Sequence, residues 1–351
     1  MHILILGGTV FLGRHVVEAS LARGHEVTLF NRGQTRPELF PELEKLHGDR
    51  DGDLGALVGR SFDAVVDTSG YVPRIVRETI DVLSDIGHYT FVSTMSVYTE
   101  SARAAGAREG DEVVRLKQET EEDTDESYGP LKALCEDVVR GRFANAFVPR
   151  PGLIVGPWDP TGRFTYWPTR FAAGGFVLAP SPSDAPVQLI DARDLANWIV
   201  EAAEQDRSGT YNAISPPMTM VDVLETCRRV AGTDAALVWV DGEFLTEQQV
   251  GPWMELPLWV WARGRRLHAC VSRAGTRQRA ADPAARGRTA AGASGNGRTA
   301  RHTSPVRSPR KRGRGFPGRR WLSQDPADLL IPGAGDNDRV EVHLARAMMN
   351  A

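Results

Sequence analysis

Along the first 150 residues, short uninterrupted apolar runs alternate with segments whose apolar positions recur every three or four residues. The runs are HILIL (2–6), EVTLF (26–30), FDAVVD (62–67), HYTFVST (88–94) and AFVPR (146–150). They are too short for helices and are expected to be buried strands. Between them, Phe11, Leu12, Val16, Val17, Ser20 and Leu21 repeat at helical spacing, and Ile75, Val76, Ile80, Leu83 and Ile86 form one apolar face behind Pro73. SYGPLKALCEDVVRG (127–141) reads as a longer helix, with Pro130 near its start, where a helix tolerates it. Strands alternating with helices predict βαβ units and a parallel sheet, hence an α/β, doubly wound fold. Past Pro151 the order is less regular. GLIVGPWDPTGRF reads as strand then loop, VQLIDARDLANWIVEAAE as strand then helix, and TMVDVLETCRRVAG (219–232) as an amphipathic helix. This part is expected to cap the carboxyl edge of the sheet, where such folds bind ligands.

The first strand runs into GGTVFLG, Gly7 to Gly13, and then into a helix. A strand, a glycine turn and a helix present backbone N–H groups and a positive dipole end to a pyrophosphate. Gly7 and Gly8 permit the tight turn, Gly13 lets the helix lie close to the sheet, and Thr9 adds a hydroxyl. Val10 stands where a middle glycine is usual and must keep φ negative. The expected cradle comprises Gly7, Gly8, Thr9, Phe11, Leu12 and Gly13. After the second strand comes FNRG, with Asn31 and Arg32 in place of an acid that would hold a ribose 2′-hydroxyl. An arginine without a carboxylate favours a 2′-phosphate, so NADP is the expected cofactor and NAD the alternative. Asp49 and Arg50, in HGDRD, are expected at the adenine side; Asp49 alternatively caps the next short helix.

Tyr128 and Lys132 lie four apart and so on one helix face. An ammonium beside a phenol lowers its pKa from near ~10 and makes it a usable proton donor or acceptor. The hydroxyl-rich strand end VSTMSVY (92–98) adds Ser93 and Thr94 at the same edge.

Taken together, the glycine turn, FVSTMSVY, Tyr128-x-x-x-Lys132, RPGLIVGP and LIDARDLA resemble the extended short-chain dehydrogenase/reductase superfamily, also called the NAD-dependent epimerase/dehydratase family. The resemblance covers about residues 1–260, and GGxxxxG is similar to an atypical subgroup. It implies a Rossmann-type nucleotide domain over 1–150 and a substrate cap, interleaved with the last sheet elements, over 151–261. It further implies hydride transfer as an epimerase, dehydratase or reductase, with a nucleotide-sugar as the substrate class. Thr94 would orient the substrate, Tyr128 would be the acid/base, and Lys132 would be its partner and hold the cofactor ribose. Thr68 and Ser69, in DTSGY, would line the nicotinamide side and Pro151 would pass the ring; the upstream asparagine of many relatives has no clear counterpart. Asp191, Arg193 and Asp194 resemble positions that lock sheet to cap. Trp158, Asp159, Arg163, Tyr166 and Trp167 are candidate substrate contacts or a packed aromatic loop. A helix-pair homodimer suits the family. A nucleotide-sensing or RNA-binding protein on the same scaffold is the alternative.

Composition changes this picture in two places. Cys135, Cys227 and Cys270 show no metal-ligand spacing, so no metal is expected and a reducing, cytoplasmic compartment is. The first apolar run is too short to span a membrane. From Ala262 to Trp321, 17 Lys+Arg face a single acid, Asp282, and apolar periodicity ends. Such a segment, 262–351, buries too little to offset its chain entropy and is expected to be disordered. Interleaved aromatics are missing, which argues against a nucleic-acid arm. A frameshift near 260–272 is the preferred explanation: the codons for GTRQRAADPAAR, read one base later, allow ALASGLRIRPL, similar to family C-termini. Sequencing the coding DNA tests it; the absence of a family-like ending in every frame overturns it. The acid-rich run 118–127 reads as a solvated loop.

Overall fold

A computed structural model describes residues 1–83, 85–253 and 255–260. The expected disordered or frameshifted tail and Cys270 lie outside the described residues. In chain order the elements are β1 (His2–Leu6), α1 (Leu12–Ala22), β2 (Glu26–Asn31), β3 (Glu44–His47), β4 (Ser61–Asp67), α2 (Pro73–Val82), β5 (Asp85–Phe91), α3 (Glu100–Ala104), α4 (Tyr128–Arg142) and β6 (Phe147–Pro151). They continue with β7 (Leu153–Val155), α5 (Tyr166–Ala172), β8 (Phe176–Pro180), β9 (Pro186–Val187), β10 (Leu189–Asp191), α6 (Ala192–Glu204), β11 (Gly209–Ala213), β12 (Met218–Thr219), α7 (Met220–Ala231), β13 (Ala236–Val240) and α8 (Gly242–Glu247).

Seven parallel strands form one sheet in the order β11-β6-β5-β4-β1-β2-β3. The strand order reverses between β1 and β4, and at such a point ligands of doubly wound folds bind beyond the carboxyl ends of the strands. Period-two alternation explains why residues 3–6 of this strand, ILIL, are apolar throughout. Ile3 and Ile5 pack with Val16 of α1 and Ile199 of α6, whereas Leu4 and Leu6 pack on the other side with Ile80 of α2 and Val139 of α4. A strand covered on both faces has no polar side to show.

The apolar face read through Ile86 is split by the structure. Helix α2 stops at Val82, and Ile86 enters β5 opposite Phe62. Gly87 explains the switch: a Cβ there would lie 2.7 Å from the Asp63 carbonyl, so the backbone approaches β4 as a strand.

Beyond Pro151 the chain contributes β11 to the main sheet and α6 to one of its covering layers. The other elements there surround a second core, in which Trp167, Phe171, Val177, Leu224 and Leu245 pack together. Short pairings of β7 with β10 and β8 with β13 hold its frame. No described helix is long and apolar enough to cross a membrane.

Candidate active site

The glycine turn sits at the carboxyl end of β1, beside the reversal point. Gly7 and Gly8 take φ of +113° and +99°, a region closed to most side chains. A Cβ on Gly13 would lie 2.7 Å from the Gly8 amide nitrogen, so only glycine lets α1 begin this close to the turn. Phe11 is the N-cap of α1; no side chain caps the helix and no acid lies in its first turn. The first turn of α1 thus keeps its amide donors free of a side-chain cap. Val10 does not obstruct it, since the residue is 45% exposed and lies outside the left-handed region. Thr9 is buried beneath the turn.

Around this turn the expected cofactor residues take different parts. Asn31 closes β2 by donating from Nδ2 to the Gly7 carbonyl (3.0 Å) and accepting from the Gly33 amide (2.9 Å). Arg32 beside it is exposed. The Thr68 and Ser69 hydroxyls both donate to the Leu6 carbonyl, at 2.9 and 3.2 Å, and so brace the floor of the crevice. Asp49 accepts from the Asp51 amide at 3.1 Å and caps a tight turn. Arg50 is engaged in the fold: it forms a fork with buried Asp67, at 2.7 and 2.8 Å, and also donates to Thr79 and Ser69. Pro151 ends β6 and is buried.

Thr94 lies close enough to Tyr128 for its side chain to pull the phenol's pKa down. Thr94 also accepts from the Ser96 amide at 3.1 Å, which fixes its hydroxyl. Gly129 makes this meeting possible. The Ser96 carbonyl occupies the place a Cβ would take, so the first turn of α4 can lie directly on the 95–97 segment. Lys132 takes a course that spacing alone does not reveal: its Nζ donates to the carbonyls of Gly70 and Val92, both at 2.7 Å, at the ends of β4 and β5.

Residues 3–214 match the NAD dependent epimerase/dehydratase family. The chain belongs to that family.

Among relatives of this epimerase/dehydratase family chain is the chloroplast stem-loop binding protein of 41 kDa b of Arabidopsis thaliana, 25% identical over 222 residues. The match covers 59% of this chain and 56% of the plant protein, so the chain spans little more than half that relative's length. Two solved structures share the fold. UDP-N-acetylglucosamine 4-epimerase from Bacillus cereus has a TM-score of 0.52 at 21% identity, covering 69% of this chain and 85% of its own. The dTDP-glucose 4,6-dehydratase of Bacillus anthracis, in complex with NAD, has a TM-score of 0.56 at 16% identity, covering 78% and 88%.

The electrostatics of the family site differ from the simple Tyr–Lys expectation. Burial pushes the Tyr128 phenol up rather than down; the Thr94 side chain and Arg163 pull against that rise, and Asp123 adds to it. Burial in turn brings Lys132 down to about 8, against the opposing pull of Asp67 and Glu136.

Of the loop residues, Trp167 belongs to the cap core, fully buried with its indole N–H on the Pro257 carbonyl at 3.1 Å. Asp159 accepts from the Thr161 amide and hydroxyl at 2.8 and 2.7 Å. Arg163 acts on Tyr128, its charge pulling the phenol's pKa down. Asp191 caps α6 and pairs with Arg193, at 2.9 and 2.5 Å, a structural role.

Two supporting residues escaped the sequence reading. Glu136 and Arg150 form a fork at 2.9 and 2.6 Å, with side chains 1% and 4% exposed. Their signal was present, since Tyr128, Lys132, Glu136 and Arg140 recur every four residues on one face of α4. Nothing local names Arg150 as the partner.

Proposed function

We propose that the chain is a nicotinamide-dependent enzyme that transfers a hydride on a nucleotide-sugar, as an epimerase, dehydratase or reductase. The observation that carries the reading is the approach of the Thr94 side chain to the Tyr128 phenol, near enough to pull its pKa down, on the same chain that presents the glycine turn after β1. Family membership supports it, as do the activities named for the two bacterial neighbours.

When bound, the nicotinamide supplies a hydride acceptor or donor. Tyr128 moves the proton of the substrate oxygen next to the reacting carbon, and Thr94 holds that oxygen in line with the phenol. Lys132, at the carbonyl ends of β4 and β5, is placed to hold the cofactor ribose. The amides of Leu12 and Gly13 bind the pyrophosphate. Gly7, Gly8 and Thr9 shape the turn, and Thr68, Ser69 and Pro151 line the crevice. At the ribose end Asn31 ties the strand to the turn, while Arg32 contributes positive charge and no carboxylate ends β2. This favours NADP over NAD. Residues 1–150 form the nucleotide domain and 151–261 the cap in this reading.

Titration with NADPH and NADH, followed by a nucleotide-sugar screen read at the reduced-cofactor absorbance band, tests the proposal. The expected result is binding of both cofactors, tighter for NADPH, and an absorbance change with at least one sugar nucleotide. Failure to bind either cofactor overturns it.

One observation favours a second reading. The plant relative is named for stem-loop binding, and a shared scaffold does not settle function. A nucleotide-sensing or RNA-binding role would leave ligand binding unaffected by loss of the Tyr128 hydroxyl.

A further inference from the structure

Tyr71 is a large aromatic left 44% exposed, on the connection between β4 and α2. Its ring lies beside two residues of the candidate site. Lys132 Nζ is 5.3 Å from the ring centroid, within cation–π range, and the Tyr128 ring is 6.3 Å away, tilted by 38°. Gly70 explains how the ring comes to be there. A Cβ on Gly70 would lie 2.7 Å from the Phe91 ring and 2.9 Å from both Asp67 Oδ2 and the Val76 side chain, so glycine lets the backbone drop onto Phe91 at this point. The Gly70 carbonyl then accepts from Lys132 Nζ at 2.7 Å, which anchors the chain one residue before Tyr71.

The ammonium is thereby enclosed by backbone and rings, and Lys132 is only 3% exposed. The carbonyls of Gly70 and Val92 take two of its three donors, which leaves one for a ligand hydroxyl. Phe91, fully buried, stands 4.2 Å from Nζ on the inner side, and Tyr71, in contact with water, is the aromatic on the outer side. We propose that Tyr71 is a positioning residue of the candidate active site, whose ring is the outer wall that keeps water from the Lys132 ammonium and flanks the Tyr128 ring. This inference rests on the reading of Tyr128 and Lys132 as active-site groups and deepens it. Burial brings Lys132 down to about 8; the other groups that act on it are the Cys135 thiol, Asp67, Glu136 and Arg50. None of them belongs to the 68–72 segment, so a change that follows loss of the Tyr71 ring reports on water reaching the amine.

The test is trace acetylation of the full-length chain with acetic anhydride across pH, read by mass spectrometry on the peptide that carries Lys132. In the wild type the amine is expected to lose its proton near about 8. Y71A is expected to move that midpoint above about 9, as water reaches the ammonium and favours its charged form. Y71F keeps the ring and is expected to stay within about 0.3 of the wild type. Y71Q, which keeps the length of the side chain and loses the ring, is expected to match Y71A and keeps the test decisive if Y71A folds poorly. On a confirmed substrate, Y71A is expected to lower kcat about tenfold and Y71F to restore it. An unmoved midpoint in Y71A and Y71Q, a rise in Y71F as large as in Y71A, or a wild-type kcat in Y71A overturns the inference and leaves the proposed function standing. A wild type that binds neither NADPH nor NADH overturns the proposed function instead, and the acetylation midpoint, which needs no ligand, still decides whether Tyr71 is the wall.

Discussion

Replacing Tyr128 with phenylalanine is expected to lower turnover by about 10²–10⁴-fold, the range that removal of a positioned general acid or base produces. Cofactor affinity is expected to change less than about twofold, since the hydroxyl faces Thr94 rather than the glycine turn. The ring can remain where it is, because Gly129 sets the height of the first turn of α4 and is untouched. The pH dependence of the wild type supplies an independent check. Burial raises the Tyr128 phenol above its ordinary value, so the free protein holds it neutral at physiological pH, ready to donate a proton. Oxidation of a substrate hydroxyl needs the phenolate, and its rate is therefore expected to climb with pH above neutrality. A Y128F chain with wild-type turnover on a confirmed substrate removes Tyr128 from the chemistry. A Y128F chain that retains ligand or RNA binding, in a protein without detectable turnover, supports the sensing reading.

Truncating Glu136 to alanine is expected to cost about 3–5 kcal/mol of stability, the penalty of leaving a buried charge without its partner. The stranded group is Arg150, 4% exposed, which keeps its hydrogen bonds to the Tyr98 hydroxyl (2.7 Å) and the Glu109 carbonyl (3.3 Å) and its place over the Tyr98 ring. Tyr98 in turn donates to Asn212 at 2.7 Å, so the loss reaches from α4 through β6 to β11. In a thermal melt the cost corresponds to a drop of roughly 10 °C for a domain of this size. Removing both partners, as E136L/R150M, is expected to restore much of it, because an apolar pair leaves no uncompensated charge.

The sign with pH follows from the Glu136 carboxyl. Burial alone would raise it, but the Arg150 hydrogen bonds and the charges of Arg150 and Arg140 hold it below its ordinary value. Its stabilisation is then complete above the usual carboxylate range and is lost as pH falls through the lower, folded value. E136A is expected to lack that portion of the acid transition. A melting point within about 1 °C of wild type overturns the assignment of this pair as the brace of α4.

Local signals made much of the architecture legible. ILIL, residues 3–6, announces a strand buried on both faces because every side chain in it is apolar, and Gly7, Gly8 and Gly13 announce a turn because no other residue tolerates those torsions and approaches. The four-residue spacing of Tyr128 and Lys132 placed both on one helix face. These conclusions depend on neighbours in sequence, and sequence displays neighbours directly. Ile86 marks where such reasoning breaks down: it continues an apolar helical pattern, yet it pairs with Phe62 in the sheet because Gly87 allows the backbone against Asp63.

Tertiary structure alone decided where the charged atoms went. Lys132 reaches the carbonyls of Gly70 and Val92, because α4 crosses the ends of β4 and β5 at that height. Arg50 is consumed by Asp67, Glu136 by Arg150, and Trp158 by Arg14 and Arg36. A long polar side chain has several partners of similar strength within reach of its sequence. Which one it takes is set by the desolvation that packing imposes, and packing is a property of the assembled chain.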